Sequence, residues 1–222
     1  MHQISALLHK ELLLEWKQKY ALNGLLLYVT SMVIVVILAF LDKTQTVRLS
    51  PQTWCVMFWL IQLFVAVNAV AKSFMGESEG QMMYMYGLVS PTALMLAKTF
   101  YNFLLLSFTS FLSFCLYTLM TKVEIGNIPL FFAALFSGAL AFAANLTLVS
   151  AIASKAENKN TLLAVLGFPL TVPILLTLTR LTEQTLTGVG FPEMSSRFVM
   201  LWGISGVLIA ISVILFPFVW KE

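Results

Sequence analysis

The residues able to do chemistry are few and poorly spaced for it. The 222-residue chain holds two histidines, His2 and His9, both near its start, and two cysteines, Cys55 and Cys115, far apart from each other. No H-E-x-x-H pair and no C-x-x-C motif occurs, so neither a zinc site nor a disulfide framework is indicated. Both cysteines fall in apolar runs and read as buried apolar side chains. Met82, Met83 and Met85 cluster, but methionines there are more simply an adaptable packing surface than a soft-metal site. A G-x-x-x-x-G-K-[ST] phosphate loop is missing too. No catalytic residue and no metal ligand is assigned, and any nucleotide hydrolysis is expected in a separate subunit.

The elements that carry these residues follow from composition. Apolar types make up 59% of the chain and charged types 10%, against about 45–50% and about 25% in soluble domains. A soluble globular enzyme is excluded. A helix needs about 20 mostly apolar residues to cross a bilayer, and the charges divide the chain into uncharged runs of that length or longer. The expected fold is an all-α polytopic membrane protein, a single transmembrane domain over residues 1–222. Its spans lie at about 20–41, 51–71, 91–121, 127–153, 160–179 and 198–220. Glu11 and Glu15 precede the first run and no small-residue cleavage site follows it, so that run is expected to stay in the membrane.

Six spans leave both termini on one side. That side carries Lys10, Lys17, Lys19, Lys72, Lys98, Lys155, Lys159 and Lys221, and the other carries Lys43, Arg48, Lys122, Arg180 and Arg197. The bias of basic residues makes the termini cytoplasmic. Before the first span, residues 1–19 mix Ile4, Leu7, Leu8, Leu12 and Trp16 with charges, which fits an amphipathic interfacial helix.

Between the second and third spans the uncharged run Gly80–Ala97 is broken by Gln81, Gly87 and Ser90-Pro91, so it is not a further span. Ser90 reads as an N-cap and Pro91 as the first helical residue of the third span. Lys98 lies about two turns on, where it is expected to snorkel to the cytoplasmic interface. Upstream, Met82, Met85, Tyr86 and Val89 form a helical stripe, and Glu77 and Glu79 sit where carboxylates complement a helix dipole. This segment, about Glu77 to Leu88, either lies on lipid as an ordinary interfacial helix or docks onto another protein.

Apart from Lys98 near a span end, the spans hold uncharged polar groups only, which argues against a carrier built on buried carboxylates and against a voltage sensor. In the fourth span, Ala133, Ser137, Ala141 and Asn145 recur at four-residue intervals. Such a face lets another helix approach closely, within the chain by default and otherwise across a subunit interface. Pro169 and Pro173 share one face of the fifth span and each removes a backbone hydrogen bond. A kink is expected, serving packing or a hinge. The stretch Arg180–Arg197 reads as a longer loop, exposed or re-entrant.

Several of these pieces together resemble the membrane subunit of an ABC-2 type exporter: an amphipathic first helix, then spans, with Phe74-Met75-Gly76-Glu77-Ser78-Glu79-Gly80, Ser90-Pro91 and Ala97-Lys98 between the second and third. Within that class the chain is most similar to the CcmB family, the haem exporter B proteins of cytochrome c maturation. That similarity rests on the double-proline stretch Leu162–Leu175 and on Glu11-Leu12-Leu13-Leu14-Glu15-Trp16. The resemblance implies that Glu77, Glu79, Gly80, Met82, Met85 and Tyr86 belong to a cytoplasmic coupling helix that docks into an ATPase. It implies a permease-like subunit in a bacterial inner membrane, working with a CcmA-like ATPase and CcmC-like and CcmD-like membrane proteins. In that family ATP hydrolysis in the partner is linked to release of a haem-loaded CcmE-like chaperone. ATP would be bound by the partner and haem met only indirectly; the lipid bilayer is a partner and nucleic acid is not. The alternatives are an ABC-2 permease for a lipid, drug or polysaccharide, and a non-transporting membrane scaffold.

Overall fold

The computed structural model describes residues 2–17, 19–41, 49–70, 72–75, 89–156 and 158–221. Their regular elements are helical: α1 (His2–Lys17), α2 (Lys19–Ala39), α3 (Pro51–Val70), the single turn α4 (Lys72–Met75), α5 (Pro91–Thr121), α6 (Ile128–Ala153), α7 (Lys159–Leu186) and α8 (Phe191–Lys221). Five of them, α3 and α5 to α8, are long and apolar enough to cross a membrane. In α2 the apolar stretch Asn23–Ala39 is shorter, at 17 residues. The segment Glu77–Leu88 lies outside the described residues, and with it Glu77, Glu79, Gly80, Met82, Met85 and Tyr86.

Local chemistry sets the helix ends. Ser90 caps α5 by accepting from the Ala93 N–H at 3.4 Å, with Pro91 behind it, and Lys122 closes the helix in a left-handed turn at φ 53°. Asn127 caps α6 by accepting from the Leu130 N–H at 3.3 Å. Each cap satisfies an amide that the first helical turn leaves unpaired.

α6 is the centre of the bundle. It packs on α5, α7 and α8, and every residue from Ala141 to Ala151 is buried. Its small residues permit this. The chain direction alternates around it: Gln62 of α3 meets Ser110 of α5, Asn102 of α5 meets Thr147 of α6, and Asn145 of α6 meets Thr171 of α7. The bundle therefore has two ends. One gathers α4, the start of α5 and the ends of α6 and α8; the other gathers the start of α3, the turn between α5 and α6, and the turn between α7 and α8.

Three expectations are corrected. The stretch from Arg180 to Arg197 is not a long loop: α7 continues to Leu186, α8 starts at Phe191, and only residues 187–190 connect them. Charges mark where a helix leaves lipid, not where it stops, and these are accommodated along the helices, Arg180 beside Glu183 at 3.4 Å and Arg197 donating to Gln184 Oε1 at 2.7 Å. A helix of 28 residues is about 42 Å long, well beyond the ~30 Å hydrocarbon core. Secondly, Cys115 is exposed on the outer face of α5, while Cys55 is buried; an apolar run cannot say which of its faces looks outward. Thirdly, Lys98 does not snorkel out of the protein.

Candidate functional site

Lys98 is 2% exposed. A buried ammonium is tolerated only when opposite charge and acceptors surround it, and two other helices, α1 and α4, supply partners here. Glu11 of α1 places Oε1 3.8 Å from Nζ. The Ser73 carbonyl of α4 accepts a hydrogen bond from Nζ. The Phe74 ring lies under the ammonium at 4.8 Å from its centroid, within cation–π range. The physical reason that snorkelling loses is visible here: α1 and α4 bring the compensation to the charge. Removing one partner of such a buried pair typically costs about 3–5 kcal/mol.

One turn further along α5, Asn102 extends the connection. Its Nδ2 donates to Ser73 Oγ at 3.2 Å and to Thr147 Oγ1 of α6 at 2.8 Å. Phe74 also touches Phe216 of α8, with ring centroids 5.2 Å apart. The four residues of α4 thus grip α5 through Ser73 and α8 through Phe74, and pack against α6. At the α5 start, Ser90 Oγ lies 3.4 Å from Gln3 Oε1 of α1.

This junction sits where the chain enters and leaves residues 76–88. α4 delivers the chain into that segment and Ser90 receives it. α4 and the start of α5 are in turn joined to α1, α6 and α8 by short contacts.

Of the residues singled out by sequence, Ser90, Pro91 and Lys98 are brought together at this junction. Pro169 and Pro173 lie on the exposed face of α7, away from it. On α6, Ser137, Ala141 and Asn145 are buried and Ala133 is exposed. Ser137 Oγ accepts from Trp202 Nε1 of α8 at 2.9 Å, and Asn145 Nδ2 donates to Thr171 Oγ1 of α7 at 2.9 Å. Sequence reasoning missed Glu11, Ser73, Phe74 and Asn102 as members of the junction. Glu11 stands among other charges in α1, and its pairing with Lys98 is made only by the tertiary fold. The signal that was available is the isolation of Lys98 in an otherwise uncharged helix.

A comparison with curated proteins finds no match. A family model described as CcmB protein matches residues 2–221, which is essentially the whole chain. The chain belongs to the CcmB family.

Proposed function

We propose that this chain is the permease-like membrane subunit of a haem-handling ABC complex in cytochrome c maturation, and that it transmits work rather than performing catalysis. ATP is bound and hydrolysed by a separate CcmA-like ATPase docked on Glu77–Leu88. The output is release of a haem-loaded CcmE-like chaperone, with CcmC-like and CcmD-like proteins as membrane neighbours. In this reading the spans offer haem no histidine ligand, since the two histidines, His2 and His9, both lie in α1.

In this reading six helices cross a bacterial inner membrane, both termini are cytoplasmic, and the α4 end faces the cytoplasm. α2 packs against both α3 and α5, which supports α2 running alongside them as the first crossing. The observation that carries the proposal is the Lys98 junction. It ties the chain on both sides of the docking segment to the bundle through a desolvated charge, a connection that resists stretching because separating it leaves the charge unpaired.

The test is the double variant Glu77→Lys, Glu79→Lys. It is expected to insert at the parent level, to lose the co-purifying ATPase, and to abolish assembly of c-type cytochromes. Retention of the ATPase together with normal assembly would overturn the coupling role.

A further inference from the structure

α1 touches α5 at two places, and the two places are in register. Gln3 meets Ser90 at 3.4 Å, and Glu11 meets Lys98 at 3.8 Å. Eight residues separate the contacts on each helix, about 12 Å of helical rise. The contacts therefore advance in the same direction on both. Leu7, midway between them on α1, is buried at 7% exposure, and Ala93, Leu94 and Ala97 of α5 are buried over the same stretch. The contact is a packed seam with a polar pair at each end.

The two pairs are unequal. Gln3–Ser90 is exposed and neutral. At the other end the Lys98 side chain is 3% exposed and that of Glu11 17%, with Lys10 a further 3.8 Å neighbour of Glu11 at 45% exposure. Lys98 is held at the same time by the Ser73 carbonyl and over the Phe74 ring of α4. A displacement of α4 and α5 that left α1 behind would strip the Glu11 carboxylate from a desolvated ammonium. Movement of α1 together with α5 keeps it.

We propose that Glu11 and Lys98 are positioning residues that hold α1 in fixed register on the first two turns of α5, so that α1 is carried along when the docking segment moves. The first helix is then a driven part of the transmission. This rests on the coupling reading above and names a further component of it.

The experiment uses the full complex with its ATPase. Cysteines replace Gln3 and Ser90 in a Cys115→Ala background, and the yield of a short bifunctional thiol cross-link is measured without nucleotide and with a non-hydrolysable ATP analogue. In the parent the yield is expected to be the same in both states. In Glu11→Gln it is expected to fall severalfold on adding the analogue, with cytochrome assembly reduced at unchanged protein level and unchanged ATPase association. The conservative variant Glu11→Asp, which keeps the carboxylate on α1, is expected to recover at least half of the lost cross-link yield. A yield in Glu11→Gln that is as high and as nucleotide-independent as in the parent overturns the proposal, as does a parent yield that itself changes severalfold with nucleotide. The coupling reading fails separately, by retention of the ATPase together with normal cytochrome assembly in the Glu77→Lys, Glu79→Lys variant, a result read without any cross-link.

Discussion

Gly138 of α6 has no room for a side chain. A Cβ there would stand 2.7 Å from Cζ3 of Trp59 and closer still to Cη2, with Cδ2 of Leu178 at 3.0 Å. Trp59 is itself fixed, because its Nε1 donates to Thr182 Oγ1 of α7 at 3.0 Å and its ring meets Phe58 and Phe142. The indole cannot swing aside without surrendering a buried hydrogen bond, so Gly138→Ala is expected to destabilise the protein by about 1–3 kcal/mol, as overpacking does. Thermal unfolding in detergent checks this, and Trp59→Phe in the same chain is expected to restore part of the loss by opening the space. The small character of Gly138 was legible in the sequence as part of a close-packing face on α6. The identity of what approaches it was not, since Trp59 lies 79 positions earlier and nothing in an apolar run marks which aromatic turns inward. The same holds at the junction: the oddity of Lys98 could be read from its apolar neighbours, but Glu11 is one of several charges in α1 and is singled out only by packing.

Helices are the scale at which sequence spoke most clearly and also misled. Ser90 and Pro91 announced the start of α5, and the cap is formed where they stand. The charges at Arg180 and Arg197 suggested helix ends, yet α7 and α8 run past them, because a helix outside lipid can carry charged side chains at little cost. Within α7, Pro169 and Pro173 are exposed, and neighbouring hydroxyls bond back along the helix: Thr171 Oγ1 donates to the Gly167 carbonyl at 2.7 Å and Thr177 Oγ1 to the Pro173 carbonyl at 2.8 Å. Each proline withholds an N–H from the helix ladder. The double variant Pro169→Ala, Pro173→Ala restores both donors on a face that packs against nothing in the bundle. Its expected effect is a higher unfolding temperature, by several degrees, measured in the same detergent as the parent. A fall would mean that the prolines shape contacts inside the bundle after all.

At the scale of the whole molecule, membership of the CcmB family and the alternation of helix direction around α6 meet in one prediction about sidedness. Single cysteines in place of Ala6, Lys122 and Lys155, all exposed, are expected to divide under an impermeant maleimide applied to spheroplasts. Lys122→Cys labels directly, whereas Ala6→Cys and Lys155→Cys label only after permeabilisation. Labelling of Ala6→Cys before permeabilisation would place the α4 end outside, since α1 packs on the start of α5, and would overturn this orientation. The all-helical, membrane-spanning class was legible from composition and charge spacing alone, since about 20 apolar residues in lipid have few other structures open to them. The joining of the two turns at the end opposite α4 was not. There a Cβ on Gly126 would meet the Cα and N of Gly188 at 2.7 Å, and the Asn127 N–H donates to the Thr185 carbonyl at 2.9 Å. Gly188 turns the chain at φ +76°, a conformation that favours glycine. Main chain is thus pressed on main chain, with no side chain between to yield. In the proposed coupling, force entering at α4 acts at the end opposite this rim, which then serves as a fulcrum: helices pulled at one end of the bundle tilt about it, and the widest excursion falls at the end where the ATPase would dock.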